Sequence, residues 1–193
     1  MGAKGLAAFF VARDTVLRDK LPGSTICSMP DETIDKILTF LEEIGIPAKD
    51  GEVADDTFLP GIDVRNGTLV VDKRKLKYPG DLLHEAGHIA VSPAALRSRL
   101  SGKVDLPEAP PHLVELEAIL WSYAACLHLG IDPRVVFHDD GYHGRAAALL
   151  QNFELGVFHG VNGLVAAGMT ISADAAAASG GKPFPAMQKW LRS

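Results

Sequence analysis

The sequence predicts an α+β fold in which a small β-hairpin packs against helices. Three patterns support this prediction: an amphipathic helical stretch, two short β-rich runs after it, and helical periodicity over most of the remaining chain. A length of 193 residues suits one domain with a small appendage. We therefore expect a single domain over residues 1–193, in which residues 1–30 form an N-terminal extension.

The first two predicted elements are an amphipathic helix and a β-hairpin. In PDETIDKILTFLEEIGI, apolar residues recur at helical spacing after the start signal at Asp31, and Gly45 lies just past the last of them. Two β-rich runs then flank Asn66 and Gly67 in GIDVRNGTLVVD. Asn-Gly is the strongest short hairpin signal, because both turn positions require a positive φ.

The rest of the chain is predicted to be mostly helical. Asp81 is placed to cap a helix that ends before Pro93, and a longer helix stops at Gly130. Trp190 is expected to dock on the core from a short C-terminal helix. The Ala- and Gly-rich segment 172–182 is typical of a mobile linker or a weak helix. The predicted helices cover residues 82–91, 111–129, 145–158 and 184–193.

Composition and charge exclude several classes of protein. Apolar residues make up 47% and charged residues 22%, as in ordinary globular proteins, and the net charge of −5 argues against non-specific binding to nucleic acid. Cys27 and Cys126 are too few for a disulfide framework or a cysteine-based zinc site. The first residues lack a convincing signal-cleavage pattern, and their apolar run is too short for a bilayer. We therefore expect a cytoplasmic protein with no nucleic-acid or membrane partner.

The segment DLLHEAGHIAV at residues 81–91 contains an HExxH motif. On a helix, His84 and His88 lie one turn apart on one face, so both imidazoles can reach the same cation. Glu85 projects beside that position, where its carboxylate can take a proton from a bound water. The alternative interpretation is an ordinary helix with two half-exposed histidines.

A catalytic zinc commonly has three protein ligands and an open position for water, so a third ligand is needed. A metzincin would require HExxHxxGxxH, but Val91 and Ala94 stand where Gly and His belong, which excludes that class. A peptide-deformylase arrangement would require an upstream cysteine in a suitable strand, and Cys27 has no such context. A glutamate from the following helix remains.

The helix HLVELEAILWSYAACLHLG offers Glu115 and Glu117. At ~100° per residue, Glu117 lies about 70° from the centre of the apolar stripe and Glu115 about 130° from it. This pattern favours Glu117 as the ligand and predicts that Glu115 faces solvent. The alternative for Glu117 is an ordinary glutamate at the boundary of the buried face. The stripe comprises Leu113, Leu116, Leu120, Ala124 and Leu127.

HEAGH at 84–88 and ELEAILW at 115–121 together resemble a known family, the bacterial ImmA/IrrE-like zinc metallopeptidases. That family has a β-hairpin, an HExxH helix, and a second helix beginning E-x-E-A-x-x-aromatic, and the resemblance covers roughly residues 60–130. It implies a zincin-like fold of the gluzincin kind, zinc held by His84, His88 and Glu117, and Glu85 as the catalytic base. Ile119 stands where the family usually has asparagine, and Ser122 where it has alanine.

The loop FHDDGYHG at 137–144 is rich in groups that can stabilise charge. We predict that the hydroxyl of Tyr142, or else a ring nitrogen of His138 or His143, lies within a single water of the metal and stabilises the oxyanion of a hydrolytic reaction. The alternative is a solvated polar turn.

These observations predict a zinc-dependent hydrolase that cleaves a peptide or protein substrate, with Zn²⁺ as its cofactor. The hairpin at 60–72 is a candidate for holding an extended peptide by strand addition. Two other classes remain open: a zinc-binding regulatory or interaction protein without turnover, and a metal-free helical interaction module. A His₂Glu site also accepts other divalent ions.

Overall fold

The computed structural model describes residues 30–102 and 110–193. Over these ranges the chain forms seven α-helices and one three-stranded sheet, so the α+β class is confirmed. The predicted N-terminal extension lies outside the described residues except for its last residue. The elements are α1 (Pro30–Glu43), β1 (Ala48–Asp50), β2 (Ile62–Arg65), β3 (Thr68–Val71), α2 (Asp81–Val91), α3 (Ala94–Arg97), α4 (Pro111–Leu129), α5 (Ala146–Glu154), α6 (Val161–Ala166) and α7 (Ala173–Ser179).

The first helix and the hairpin agree with the sequence prediction. Gly45 follows α1 with a φ of 84°, and Asn66 and Gly67 take φ values of 52° and 73° between β2 and β3. Both turn residues therefore adopt the left-handed conformation that joins two antiparallel strands with a matching twist. Alternate residues of the hairpin face the core, where Ile62, Val64, Leu69 and Val71 are buried.

The sheet contains a third strand that the sequence pattern did not indicate. β1 pairs in parallel with β3, from Ala48 opposite Leu69 to Asp50 opposite Val71, so the strand order is β1-β3-β2. β1 is only three residues long, and Lys49 and Asp50 are exposed. It therefore has neither the length nor the apolar alternation by which a strand is recognised.

α2 and α4 pack closely, which places the HExxH helix against the second helix. Ser122 on α4 donates hydrogen bonds to the carbonyl oxygens of Ala118 (2.7 Å) and of Leu83 on α2 (3.2 Å). A Cβ atom at Gly87 would lie 2.9 Å from the carbonyl oxygen of Ala118. The close approach of the two helices thus depends on a glycine at position 87.

We expect Gly87→Ala to lower the free energy of unfolding by about 1–2 kcal/mol. The added methyl group meets backbone rather than a movable side chain, and that cost exceeds the gain of about 1 kcal/mol in helix propensity. Urea unfolding of the chelator-treated protein measures the change without a metal contribution. An alanine variant as stable as wild type would show that the two helices separate easily here.

Two details of the predicted elements need correction. Asp81 does not cap α2 with its side chain: Gly80 is the N-cap residue, and the Asp81 carboxylate bonds to His138 instead. Residues 184–193 contain no helix. Of the two alternatives for the segment 172–182, the helix is present: α7 lies there, and Ser172 caps it by accepting a hydrogen bond from the backbone N–H of Ala175.

The C-terminal residues nevertheless lie on the core, as expected of Trp190. Its ring meets those of Phe40 and Trp121 edge-on, at centroid distances of 4.9 and 5.6 Å. The indole N–H of Trp121 donates to the carbonyl oxygen of Trp190 (2.9 Å). Over the described ranges, no helix combines the length and apolar character needed to cross a bilayer.

Candidate metal centre

Two histidines of α2 and one glutamate of α4 converge at the packed face of these helices. The Nε2 atoms of His84 and His88 lie 3.2 Å apart. The two carboxylate oxygens of Glu115 lie near these nitrogens. Oε2 is 3.2 Å from Nε2 of His88, and Oε1 is 3.6 Å from Nε2 of His84. Among the described residues, this is the group of three side chains that could hold a metal ion.

These separations suit a tetrahedral ion. Zinc bonds to nitrogen and oxygen of about 2.0–2.2 Å, at tetrahedral angles, put neighbouring ligand atoms about 3.3–3.6 Å apart. The three observed separations fall in or within about 0.1 Å of that range. The donor set, two imidazoles and one carboxylate, is also that of many catalytic zinc sites, in which water takes the fourth position.

The prediction that Glu117 lies beside the histidines is wrong, and Glu115 takes that place. Successive positions on a helix are rotated by about 100°, so Glu117 points about 160° away from Glu115. The error came from the apolar stripe: its end residues Leu113 and Leu127 are 45% and 44% exposed, so its centre does not mark the buried face. α4 is instead buried on nearly all sides between residues 118 and 126.

A different signal in the sequence marks the face of α4 that meets α2. Ala118 and Ser122 are small residues at helical spacing, and with Glu115 they fall within about 60° of one another around the helix. Small residues in such a row permit close helix contact, and they oppose Gly87. The glutamate that shares their face is the one that reaches the histidines.

Glu117 has a partner of its own on the other side of α4. Its carboxylate pairs with the guanidinium of Arg192, and an added Cβ at Gly163 would collide with it. Burial raises the pKa of Glu117, and the charge of Arg192 opposes that rise. The ion pair therefore joins α4 to the C-terminal segment.

Burial sets the protonation of two groups at the centre. It lowers the pKa of His84 to about 4, with a further lowering from His88, so the imidazole is neutral and able to bind a cation at neutral pH. Burial also raises the pKa of Glu85 to about 7, which is the range expected of a general base that works near neutrality. A divalent cation beside Glu85 would favour its ionised form.

The loop after α4 reaches the HExxH helix. The hydroxyl oxygen of Tyr142 lies 3.3 Å from Nδ1 of His84, so of the three predicted side chains it is the one in contact with a candidate ligand. His138 contacts Asp81 through Nε2 (3.0 Å), and His143 is exposed. No sequence pattern indicated the pairing of His138 with Asp81. That Tyr142 stabilises an oxyanion stays a prediction.

The centre is open on the side of Glu115. The side chains of His84 and His88 are 14% and 12% exposed, whereas that of Glu115 is 44% exposed. The carboxylate is therefore the most solvent-accessible of the three side chains.

Comparison with known proteins found no family model, no curated protein and no solved structure that matches this chain. The chemistry of the site therefore has to follow from the geometry of its own residues.

Proposed function

We propose that this protein is a zinc-dependent hydrolase of zincin-like fold that acts on peptide bonds, with the metal held by His84, His88 and Glu115. The observation that carries the proposal is the convergence of these three side chains at the ligand spacing of a tetrahedral zinc ion. Glu85, directly after the first histidine, is a partly buried carboxylate, and this burial raises its pKa to about 7.

A bound zinc ion supplies Lewis acidity: it polarises a carbonyl and lowers the pKa of its water towards ~7. Glu85 accepts the proton that the water loses and passes it to the leaving amine. His84 stays neutral because of its burial, so protons compete weakly with the metal for this ligand.

The arrangement of elements also supports a relationship to ImmA/IrrE-like metallopeptidases. A hairpin precedes the HExxH helix, and a second helix contributes a glutamate from the E-x-E-A stretch. In this chain that glutamate is the first of the pair, Glu115, instead of Glu117.

A substrate peptide could add a strand to the hairpin only along the outer edge of β2, and residues 100–102 already bond to part of that edge. The backbone N–H of Gly102 donates to the carbonyl oxygen of Val64 (2.8 Å), and that of Gly67 donates to Leu100 (2.8 Å). Part of the outer edge of β2 is therefore taken. We infer that a peptide approaches from the open side at Glu115, without adding a strand to β2.

The position of the 138–144 loop supports an enzyme over a silent zinc-binding regulator. A regulator would be favoured if this loop filled the fourth position of the metal. Tyr142 approaches His84 from the Nδ1 side, and His138 is engaged with Asp81, so neither side chain occupies the space beside the Nε2 atoms.

Zinc content and thermal stability test the proposal directly. We expect tag-free protein to contain about one zinc per chain, and zinc in excess of its Kd to raise the Tm of chelator-treated protein, because ligand binding at 1,000 times Kd adds about 4 kcal/mol to stability. Metal analysis and calorimetry measure these quantities, with His84→Ala/His88→Ala as the control. Absence of zinc binding in the wild-type chain would leave the metal-free interaction module as the function.

A further inference from the structure

Tyr142 is brought to the metal centre by an unusual backbone. Tyr142, His143 and Gly144 follow one another with φ values of 53°, 54° and 72°, all in the left-handed region. For tyrosine and histidine this conformation costs roughly 1–2 kcal/mol per residue, so it persists only where the surrounding structure holds it. This turn places the Tyr142 ring edge-on to the ring of His84, with the two ring centroids 5.6 Å apart.

Several contacts that hold the loop come from residues 77–81, just before and at the start of the HExxH helix. The ring of Tyr78 stacks on that of His138 at a centroid distance of 3.7 Å, and His138 reaches the carboxylate of Asp81 (3.0 Å). Lys77 pairs with Asp140 (2.9 Å), and the Tyr78 hydroxyl bonds to the same carboxylate. The loop is thus attached to residues 77–81, and it presents Tyr142 to the helix that begins there.

The two ligand histidines differ in what their second nitrogen meets. An imidazole that binds a metal through Nε2 carries its hydrogen on Nδ1, and in most metal sites this N–H donates to an acceptor that also fixes the orientation of the ring. For His84 that acceptor is the hydroxyl oxygen of Tyr142, 3.3 Å away. For His88, Nδ1 is buried and has no hydrogen-bond partner among the described residues.

We propose that Tyr142 is a positioning residue for the metal: it accepts the Nδ1 hydrogen of His84 and so holds the imidazole with Nε2 directed at the ion. This inference rests on the proposed metal centre and adds a determinant of its affinity. In this role Tyr142 acts through His84 and is not itself a metal ligand.

The test compares two tyrosine-to-phenylalanine variants. Tyr142→Phe keeps the ring, which packs on Phe137 at 5.1 Å, and removes the hydroxyl. We expect it to weaken zinc binding about 10-fold or more in competition with a chromophoric chelator, as loss of such a hydrogen bond usually does. Tyr123→Phe removes a hydroxyl from a ring that packs on Phe153 and Phe158 and keeps the ring itself, so its zinc affinity should equal that of wild type.

A spectroscopic readout separates positioning from general destabilisation. In the cobalt-substituted protein, we expect the visible absorption bands to change in Tyr142→Phe and to stay unchanged in Tyr123→Phe. We also expect a slowly exchanging Nδ1 hydrogen of His84 in the NMR spectrum of the zinc-loaded wild type. This measurement does not require Tyr142→Phe to fold. Equal zinc affinities with superimposable cobalt spectra would overturn this inference alone. A wild-type chain that binds neither ion would overturn the proposed metal centre as well.

Discussion

Replacing Glu115 with alanine is expected to weaken zinc binding by at least about 100-fold. Loss of a residue that only supports a ligand typically costs 10–100-fold in affinity, and loss of a ligand costs more. The carboxylate of Glu115 is the anionic donor that lies 3.2 Å from Nε2 of His88. Competition with a chelator of known affinity measures the change in zinc binding. The free energy of unfolding of chelator-treated Glu115→Ala, measured in urea, should stay within about 0.5 kcal/mol of wild type, because the side chain is 44% exposed.

Glu117→Ala is the matched control, since it removes the same group from the same helix. This variant leaves the guanidinium of Arg192, which is three-quarters buried, without its carboxylate partner, so we expect the free energy of unfolding to fall by about 1–3 kcal/mol. Its zinc affinity should stay within about threefold of wild type, because the two sites share no partner. If Glu117→Ala lost zinc and Glu115→Ala kept it, the assignment of Glu117 as the ligand, made from the apolar stripe, would be restored.

Glu85→Gln is expected to retain zinc and to lose at least about 100-fold in turnover. The glutamine amide has nearly the same shape but accepts no proton at neutral pH, and a positioned general base contributes about 10²–10⁴-fold to such reactions. Mass spectrometry of a mixture of unstructured peptides of varied sequence, incubated with each protein, measures cleavage even though the substrate is unidentified. Undiminished cleavage by Glu85→Gln would remove this residue from the mechanism, and no cleavage by wild type would favour the silent regulator.

The same substitution is expected to stabilise the metal-free protein at alkaline pH. Burial raises the pKa of Glu85 to about 7 in the folded chain, against about 4.5 when it is exposed. Between pH 4.5 and 7, Glu85 is therefore protonated in the folded state and ionised in the unfolded state. Above pH 7 it is ionised in both states, and its full destabilising effect on the fold is present. The stability gained by Glu85→Gln over wild type should thus grow by roughly 1–2 kcal/mol between pH 5 and pH 8.

Urea unfolding at the two pH values, with a chelator present, measures this growth. Glu42→Gln in α1 is a suitable control for the loss of one carboxylate, because Glu42 is exposed and substitutions at exposed sites usually change the free energy of unfolding by less than about 0.5 kcal/mol. A Glu85→Gln curve parallel to that of wild type would show that the carboxylate is well solvated in the folded chain. The expected result would instead mean that the fold tolerates an unfavourable buried charge at the point where the proposed chemistry needs it.

Features that depend on neighbouring residues in the chain were predictable from the sequence. Asn66 and Gly67 form the hairpin turn because few other dipeptides accept two positive φ values. α4 runs from Pro111 to Leu129 as predicted, and Gly130 ends it in the left-handed conformation. His84 and His88 share a face of α2 because four residues span about one helical turn.

Features that depend on what covers each side of an element were not predictable in the same way. α4 is apolar around most of its circumference because α2, α6 and the C-terminal segment enclose it, so its hydrophobic pattern does not indicate which glutamate faces the histidines. The three-residue strand β1 exists only because β3 offers it a partner. Its own residues carry no strand pattern.

The sequence by itself thus determined the class of fold, the hairpin, and the pair of histidines with an adjacent glutamate. All of these follow from the backbone preferences and the spacing of residues close together in the chain. The tertiary structure alone decided that Glu115 approaches His88, that Tyr142 approaches His84, and that Glu117 pairs with Arg192. These contacts join residues 27 to 75 positions apart in the chain. The rotation of α4 about its axis, relative to α2, decides which of the two glutamates faces the histidines. Within α4, only the small residues that let α2 approach indicate that rotation.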